Sequence, residues 1–155
     1  MEFLDTAPHQ VELSHLSPAP DRAVFAALKD INHAKGWLGG IVSQVAATSP
    51  PPYGVGTTRE VYFYRGLVKF EQVFIGWEEP HLWCFSAERM RPKVFSKVVE
   101  QVRIEPQDGG GCLITYRFGA DFTPPCRPLA GAVATWAKYA ISPALRRLSD
   151  YATGC

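Results

Sequence analysis

The stretch PPPYGVGTTREVYFYRGLVKFEQVFIGW, Pro50 to Trp77, decides the fold. It holds Gly54-Val55-Gly56, a glycine spacing of the kind that cradles phosphate. A dinucleotide fingerprint places its glycines after a strand and at the opening of a helix, whose N-terminus holds the phosphate. Here the glycines follow three prolines, and what they open is TTREVYFY, Thr57 to Tyr64, rich in the β-branched and aromatic residues of a strand. A Walker loop would need Gly-Lys-Ser/Thr, which is absent. The glycines therefore launch a strand, and a nucleotide-using enzyme is set aside.

Outward from this point the pattern stays β. Arg65-Gly66 turns the chain into Leu67–Trp77, Glu78-Glu79-Pro80 ends that strand, and HLWCFSAE opens another. Met90 to Pro92 punctuates before FSKVVEQVRI, and Asp108 to Gly111, DGGG, is a hairpin signal leading into CLITYRFGADF. Upstream, Ile41 to Thr48 is a further strand. Gln10 to Leu16 alternates Val11, Leu13 and His15 against Gln10, Glu12 and Ser14, as a strand does. Between these two, Ser17 to Asp21 carries helix-start chemistry ahead of Val24, Phe25, Leu28 and Ile31 on one helical face. NHAKGWLGG, Asn32 to Gly40, allows one more brief helix. After TPPCRP, Leu129, Val133, Trp136, Ala140, Leu145 and Leu148 describe a long terminal helix. Pro143 within it implies either a kink near Tyr139 or a restart capped by Ser142. Strands joined by short turns imply an antiparallel sheet, and one long helix must bury its stripe against it, an α+β class.

Composition narrows the function. The 155 residues suit one domain, spanning 1–155, with 46% hydrophobic and 20% charged residues and a net charge of +1. No run of Lys or Arg argues for nucleic acid, and no apolar segment approaches the length of a membrane span. The acidic N-terminus MEFLDTAPHQ is unlike a secretory signal, so a cytoplasmic location is expected. Cys84, Cys112, Cys126 and Cys155 lack metal-ligand spacing, as do His9, His15, His33 and His81. No metal and no cofactor is expected, and oligomeric state is not legible.

LSPAPDRAVFAALKDI, GVGTTREV, KFEQVFIGWEEPHLW, GGGCLITYRFGADFTPP and the closing helix through ALRRLSDYA together resemble the polyketide cyclase/dehydrase and lipid-transport family. That family belongs to the START-like (SRPBCC, birch-pollen-allergen-like) superfamily. The resemblance covers nearly the whole chain in order. It implies a helix-grip fold: a curved seven-stranded antiparallel sheet wrapped around the C-terminal helix, two short helices between the first and second strands, and a cavity between sheet and helix. Members hold lipids, polyketides or other apolar molecules there, and a minority catalyse cyclisation or dehydration. On this reading the Gly54–Gly56 loop sits at the cavity mouth.

Alternation assigns the lining. With Lys69 and Glu71 in water, Val68, Phe70, Gln72 and Phe74 point inward. Trp83 and Phe85, Val98 and Glu100, and Tyr116 and Phe118 follow on later strands, with Lys97, Gln101 and Arg103 outside. Tyr62, Tyr64 and Glu60 share the outer face, so Val61 and Phe63 point in, with Arg59 on their side. Trp37 is a gate or a plug, and the helix offers Val133, Trp136, Tyr139 and Ala140. Nine Phe, six Tyr and four Trp exceed what one helix on one sheet needs to close. The plainer reading is an ordinary aromatic core; given the resemblance, a ligand cavity is favoured.

Inward polar residues need partners, because an unpaired buried polar group costs about 1–3 kcal/mol. Gln72 is the firmest of them; one bulge would turn Glu100 out to solvent. Arg59 is left with three options: an ion pair with Glu100, an anchor for a ligand carboxylate, or a rim position in water. Aromatase/cyclase members of the superfamily carry a cavity arginine beside the glutamate of the fourth strand. The matching position here is Gln72 beside Glu71, whose amide offers no fixed charge to an enolate. The expected function is binding of a small hydrophobic molecule, oriented by Gln72, Tyr116, Tyr139, Arg59 or Glu100. A cyclase or dehydratase using Tyr116, Tyr139 or Glu100 is the rival. A protein-interaction module with exposed Tyr62, Tyr64 and Trp77 is the third reading.

Overall fold

The alternating segments build seven strands: β1 (His9–Ser17), β2 (Val42–Ala47), β3 (Thr58–Phe63), β4 (Val68–Glu78), β5 (Leu82–Arg91), β6 (Phe95–Pro106) and β7 (Cys112–Phe122). The computed structural model describes residues 2–154, so Cys155 lies outside the described residues. All pairings are antiparallel in one sheet of order β1-β7-β6-β5-β4-β3-β2. The DGGG turn works as its glycines predict. Gly109 and Gly110 take φ of +101° and +98°, and Gln107 N donates to Gly111 O at 2.8 Å. Gly111 has a second reason to be glycine, since a Cβ there would lie 2.4 Å from Ser17 O.

Two helices join β1 to β2, α2 (Asp21–Lys29) and α3 (Ala34–Leu38), and α4 (Ala130–Thr153) closes the chain. Its buried residues lie mainly in the second half (Ala144, Leu145, Leu148, Ser149), with Ala137 the exception in the first. That second half is fastened down: Ser149 shares a 2.7 Å bond with Ser17, and Arg147 Nε donates to Trp37 O at 3.0 Å. The first half instead spans the concave face of the sheet. A 3-10 segment, Pro124–Leu129, leads into it. Contrary to a restart at Ser142, α4 runs through Pro143 without interruption. The amide lost at Pro143 would have served the carbonyl of Tyr139. Both residues lie on the exposed side of the helix, where an unpaired carbonyl costs least, and the helix tolerates the proline.

A fourth helix, α1 (Glu2–Thr6), has no counterpart in the sequence reading. It lies on the convex face, where Leu4 is buried against Cys84 and Val99. Gly119 is small because of it: a Cβ there would meet Ala7 Cβ at 3.1 Å and Leu4 Cδ2 at 3.2 Å. Gln101, expected in water, is on the outer face but 1% exposed, on the same convex side of the sheet. Two further positions depart from simple alternation. A register shift between Phe74 and Gly76 turns Trp77 inward onto Phe25 and Phe74, leaving it half-buried. Tyr64 leaves β3 for a 3-10 turn, Tyr64–Gly66, with φ of +50°, instead of sharing the outer face with Tyr62.

Candidate functional site

Between the concave face of the sheet and α4 lies a cavity of about 310 Å³. Its origin is a mismatch of sizes. The sheet contributes Phe70, Trp83, Phe85 and Phe118, while α4 faces them with Ala137, Ala140 and Ala144, side chains too short to meet the rings. Close packing fails there and a void remains.

Exposure falls from one end of this cavity to the other. Tyr64 and Trp136 are 44% and 41% exposed and frame the mouth with Ile41, Val68 and Val94, whereas Arg59, Gln72 and Trp83 at the inner end are 3–4% exposed. The loop containing Gly54 and Gly56 contributes nothing to the lining and belongs to the β2–β3 connection, away from this mouth. Its amides are spent within the protein. Gly54 N donates to Thr57 Oγ1 at 2.8 Å and Gly56 N to Phe74 O at 2.8 Å.

Of the residues assigned to the cavity by alternation, Trp37, Arg59, Val61, Phe63, Phe70 and Gln72 line it. So do Trp83, Phe85, Glu100, Tyr116, Phe118 and Trp136. Three do not. Phe74 and Val98 are buried inward but packed solidly, and Tyr139 is 79% exposed, because it sits two residues past Ala137 and so lies nearly opposite the apolar stripe of the helix. Sequence reasoning missed Tyr64, Ile41, Ala137 and Ala144. The signal for the alanines was present, small residues at i, i+3 and i+7 on the apolar stripe of a helix opposite aromatic strands.

The polar groups of the cavity come from neighbouring strands. Arg59 on β3 pairs in register with Gln72 on β4, and its Nε donates to Gln72 Oε1 at 2.6 Å. The guanidinium sits among three rings, 4.7 Å from the centroid of Trp83 and 5.1 Å from those of Phe74 and Phe85. Burial lowers its pKa to about 10, partly countered by Glu100, so it remains a cation at neutral pH. Glu100 on β6 keeps accessible surface, but that surface belongs to the cavity, and protein encloses the carboxyl. Burial raises its pKa to about 7, against the lowering effects of Tyr116 and Arg59. The Tyr116 hydroxyl is pushed well above its ordinary range by burial and by Glu100. Among the described residues, no Arg59–Glu100 ion pair forms within 4 Å, and the indole N–H groups of Trp37 and Trp83 have no acceptor.

The neutral amide at Gln72 offers no fixed positive charge of its own. The charge is there nonetheless, supplied one strand over by Arg59 and held by that same amide. Among the described residues, no group of three or more His, Cys, Asp or Glu is arranged to hold a metal ion, and no helix is long and apolar enough to cross a membrane.

A seven-stranded antiparallel sheet gripping a C-terminal helix over an enclosed apolar pocket defines a helix-grip protein. The chain belongs to the polyketide cyclase / dehydrase and lipid transport family, whose model matches residues 8–153. It is 28% identical over 152 residues to uncharacterized proteins of Mycobacterium tuberculosis and Mycobacterium bovis, covering 97% of this chain and 89% of theirs. Solved structures share the fold. A START superfamily protein from Mycobacterium smegmatis superposes with a TM-score of 0.77 at 11% identity, covering 94% of this chain and 98% of that one. Ara h 8.0201 gives 0.75 at 16% identity, with 95% and 99% covered.

Proposed function

We propose that this protein binds a small hydrophobic molecule in the cavity between sheet and α4. The observation that carries the reading is the cavity itself: about 310 Å³, at the lower end of the range for small-molecule pockets, lined by aromatic and aliphatic side chains with a few polar groups at its inner end. Burial of apolar ligand surface would drive binding at roughly 25 cal/mol per Å². Arg59, Gln72, Glu100 and Tyr116 would orient the ligand. Tyr139 has no part in this, given its exposure.

A second reading, a cyclase- or dehydratase-type enzyme, has one observation in its favour. Glu100, with a pKa near neutrality, contacts Tyr116 and faces the same space as Arg59, the combination a proton-transfer step requires. Native mass spectrometry of the purified protein, with a fluorescence titration by the neutral probe N-phenyl-1-naphthylamine, tests binding. The expected result is a co-purified small molecule or saturable probe uptake by the wild type, abolished by Ala144→Phe with the circular dichroism spectrum unchanged. Uptake by neither protein, or equal uptake by both, overturns the reading.

A further inference from the structure

The inner end of the cavity is rich in hydrogen-bond donors and poor in acceptors. Arg59 spends Nε on Gln72, and among the described residues its Nη hydrogens meet no protein acceptor. The Trp83 ring lies 4.7 Å from the same guanidinium, and its buried Nε1 has no partner. Trp37 lines the cavity too, and its Nε1 is likewise buried without a partner. On the acceptor side, Gln72 Oε1 is occupied by Arg59, and the Glu100 carboxyl engages Tyr116. A neutral apolar molecule would leave the Arg59 Nη donors unmatched. A guanidinium closed off from water is best answered by an oxyanion that accepts from more than one N–H.

Resting on the binding reading above, we propose that the ligand is an apolar organic anion, its carboxylate-type head group on the Arg59 Nη groups and its hydrocarbon body running toward the mouth at Tyr64 and Trp136. Glu100 is the internal competitor for the same cation. Among the described residues, the titratable groups facing this space are Arg59 on β3, Glu100 on β6 and Tyr116 on β7, with Tyr64 at the rim; α3 and the facing side of α4 contribute none. When Glu100 is neutral, Arg59 is uncompensated and the inner end is cationic. When Glu100 ionises, the inner end is neutral overall and repels a second carboxylate. Anion affinity therefore falls as pH rises through the titration of Glu100, which lies at about 7.

The test compares decanoate with decan-1-ol, equal in chain length and differing in the head group, by quenching of the intrinsic tryptophan fluorescence that Trp37 and Trp83 report. At about pH 6 decanoate should bind roughly tenfold or more tightly than the alcohol, and the ratio should shrink by about pH 8.5, where the ligand itself stays ionised but Glu100 does too. Arg59→Gln should bring the ratio close to one, and Glu100→Gln should flatten its pH dependence. Equal affinity of the wild type for acid and alcohol overturns the anion proposal while leaving hydrophobic binding intact. Uptake of neither probe overturns the binding reading itself. The wild-type comparison stands alone if Arg59→Gln fails to fold.

Discussion

Arg59 Nε donates to Gln72 Oε1 at 2.6 Å from within a single β3–β4 cross-strand pair, and both side chains are buried at the inner end of the cavity. Among the described residues, Arg59 is the one cation of the cavity lining, and the bond ties it to the neighbouring strand. Gln72→Leu would keep the shape and strand the Nε hydrogen, a loss of about 1–3 kcal/mol in stability. Replacing both partners, Arg59→Met with Gln72→Leu, removes donor and acceptor together and should recover most of that loss. Urea midpoints of the two single variants and the double variant complete the cycle. A Gln72→Leu protein as stable as the wild type would show that the bond does not hold the strands.

The raised pKa of Glu100 makes it a pH-dependent element of stability. Burial takes its carboxyl from 4.5 to about 7, so between those values the folded protein keeps a proton the unfolded chain has released. Its contribution is therefore complete at low pH and lost as pH rises through about 7. Glu100→Gln removes this loss. Relative to the variant, the wild type should weaken on the order of 3 kcal/mol between about pH 4.5 and pH 8, from about 1.4 kcal/mol per pKa unit. Urea unfolding of both proteins across that range measures it. A difference that stays constant, or grows toward acid, would contradict the assignment.

What the sequence made legible was whatever follows from period and turn chemistry. Phe70, Gln72, Trp83, Phe85, Tyr116 and Phe118 fall inward because strands alternate, and the glycines of DGGG demand a hairpin. The failures came where a local departure reset the count. The shift between Phe74 and Gly76 carried Trp77 inward, and the left-handed conformation of Tyr64 moved it from the outer face to the cavity rim. Cys84 had no visible reason to be covered, because residues 2–6 carry too few apolar positions to announce a helix or its docking face. The void between the alanines of α4 and the rings of the sheet is a difference of volumes across elements, which periodicity alone does not report.

That N-terminal helix gives a third prediction. Leu4 is 1% exposed and covers Cys84, whose thiol burial raises to about 11. Leu4→Ala should cost about 2–5 kcal/mol, the range for a leucine truncated in a packed site. In a Cys155→Ser background, 5,5′-dithiobis(2-nitrobenzoate) should modify the partly exposed Cys126 first, with Cys84 slow until Leu4→Ala uncovers it. Equal labelling rates for Cys84 with and without Leu4 would mean that α1 does not shield it.

Pro143 marks a change of environment along α4. Beyond it Ala144, Leu145, Leu148 and Ser149 are buried, while before it the helix spans the cavity with Ala137 alone buried. Losing one backbone bond at this boundary should let the first half open more readily than the second, so amides of residues 131–142 should exchange with solvent faster than those of 144–153. Pro143→Ala restores the donor to the Tyr139 carbonyl and removes the ring clash, which should stabilise the protein by up to about 3 kcal/mol. It should also slow exchange selectively in the first half. If the proline also helps the helix to yield when a ligand enters, probe association will slow in the variant although its equilibrium affinity is unchanged. A uniform rise in protection along the whole helix would show that Pro143 does not separate two regions of different stability.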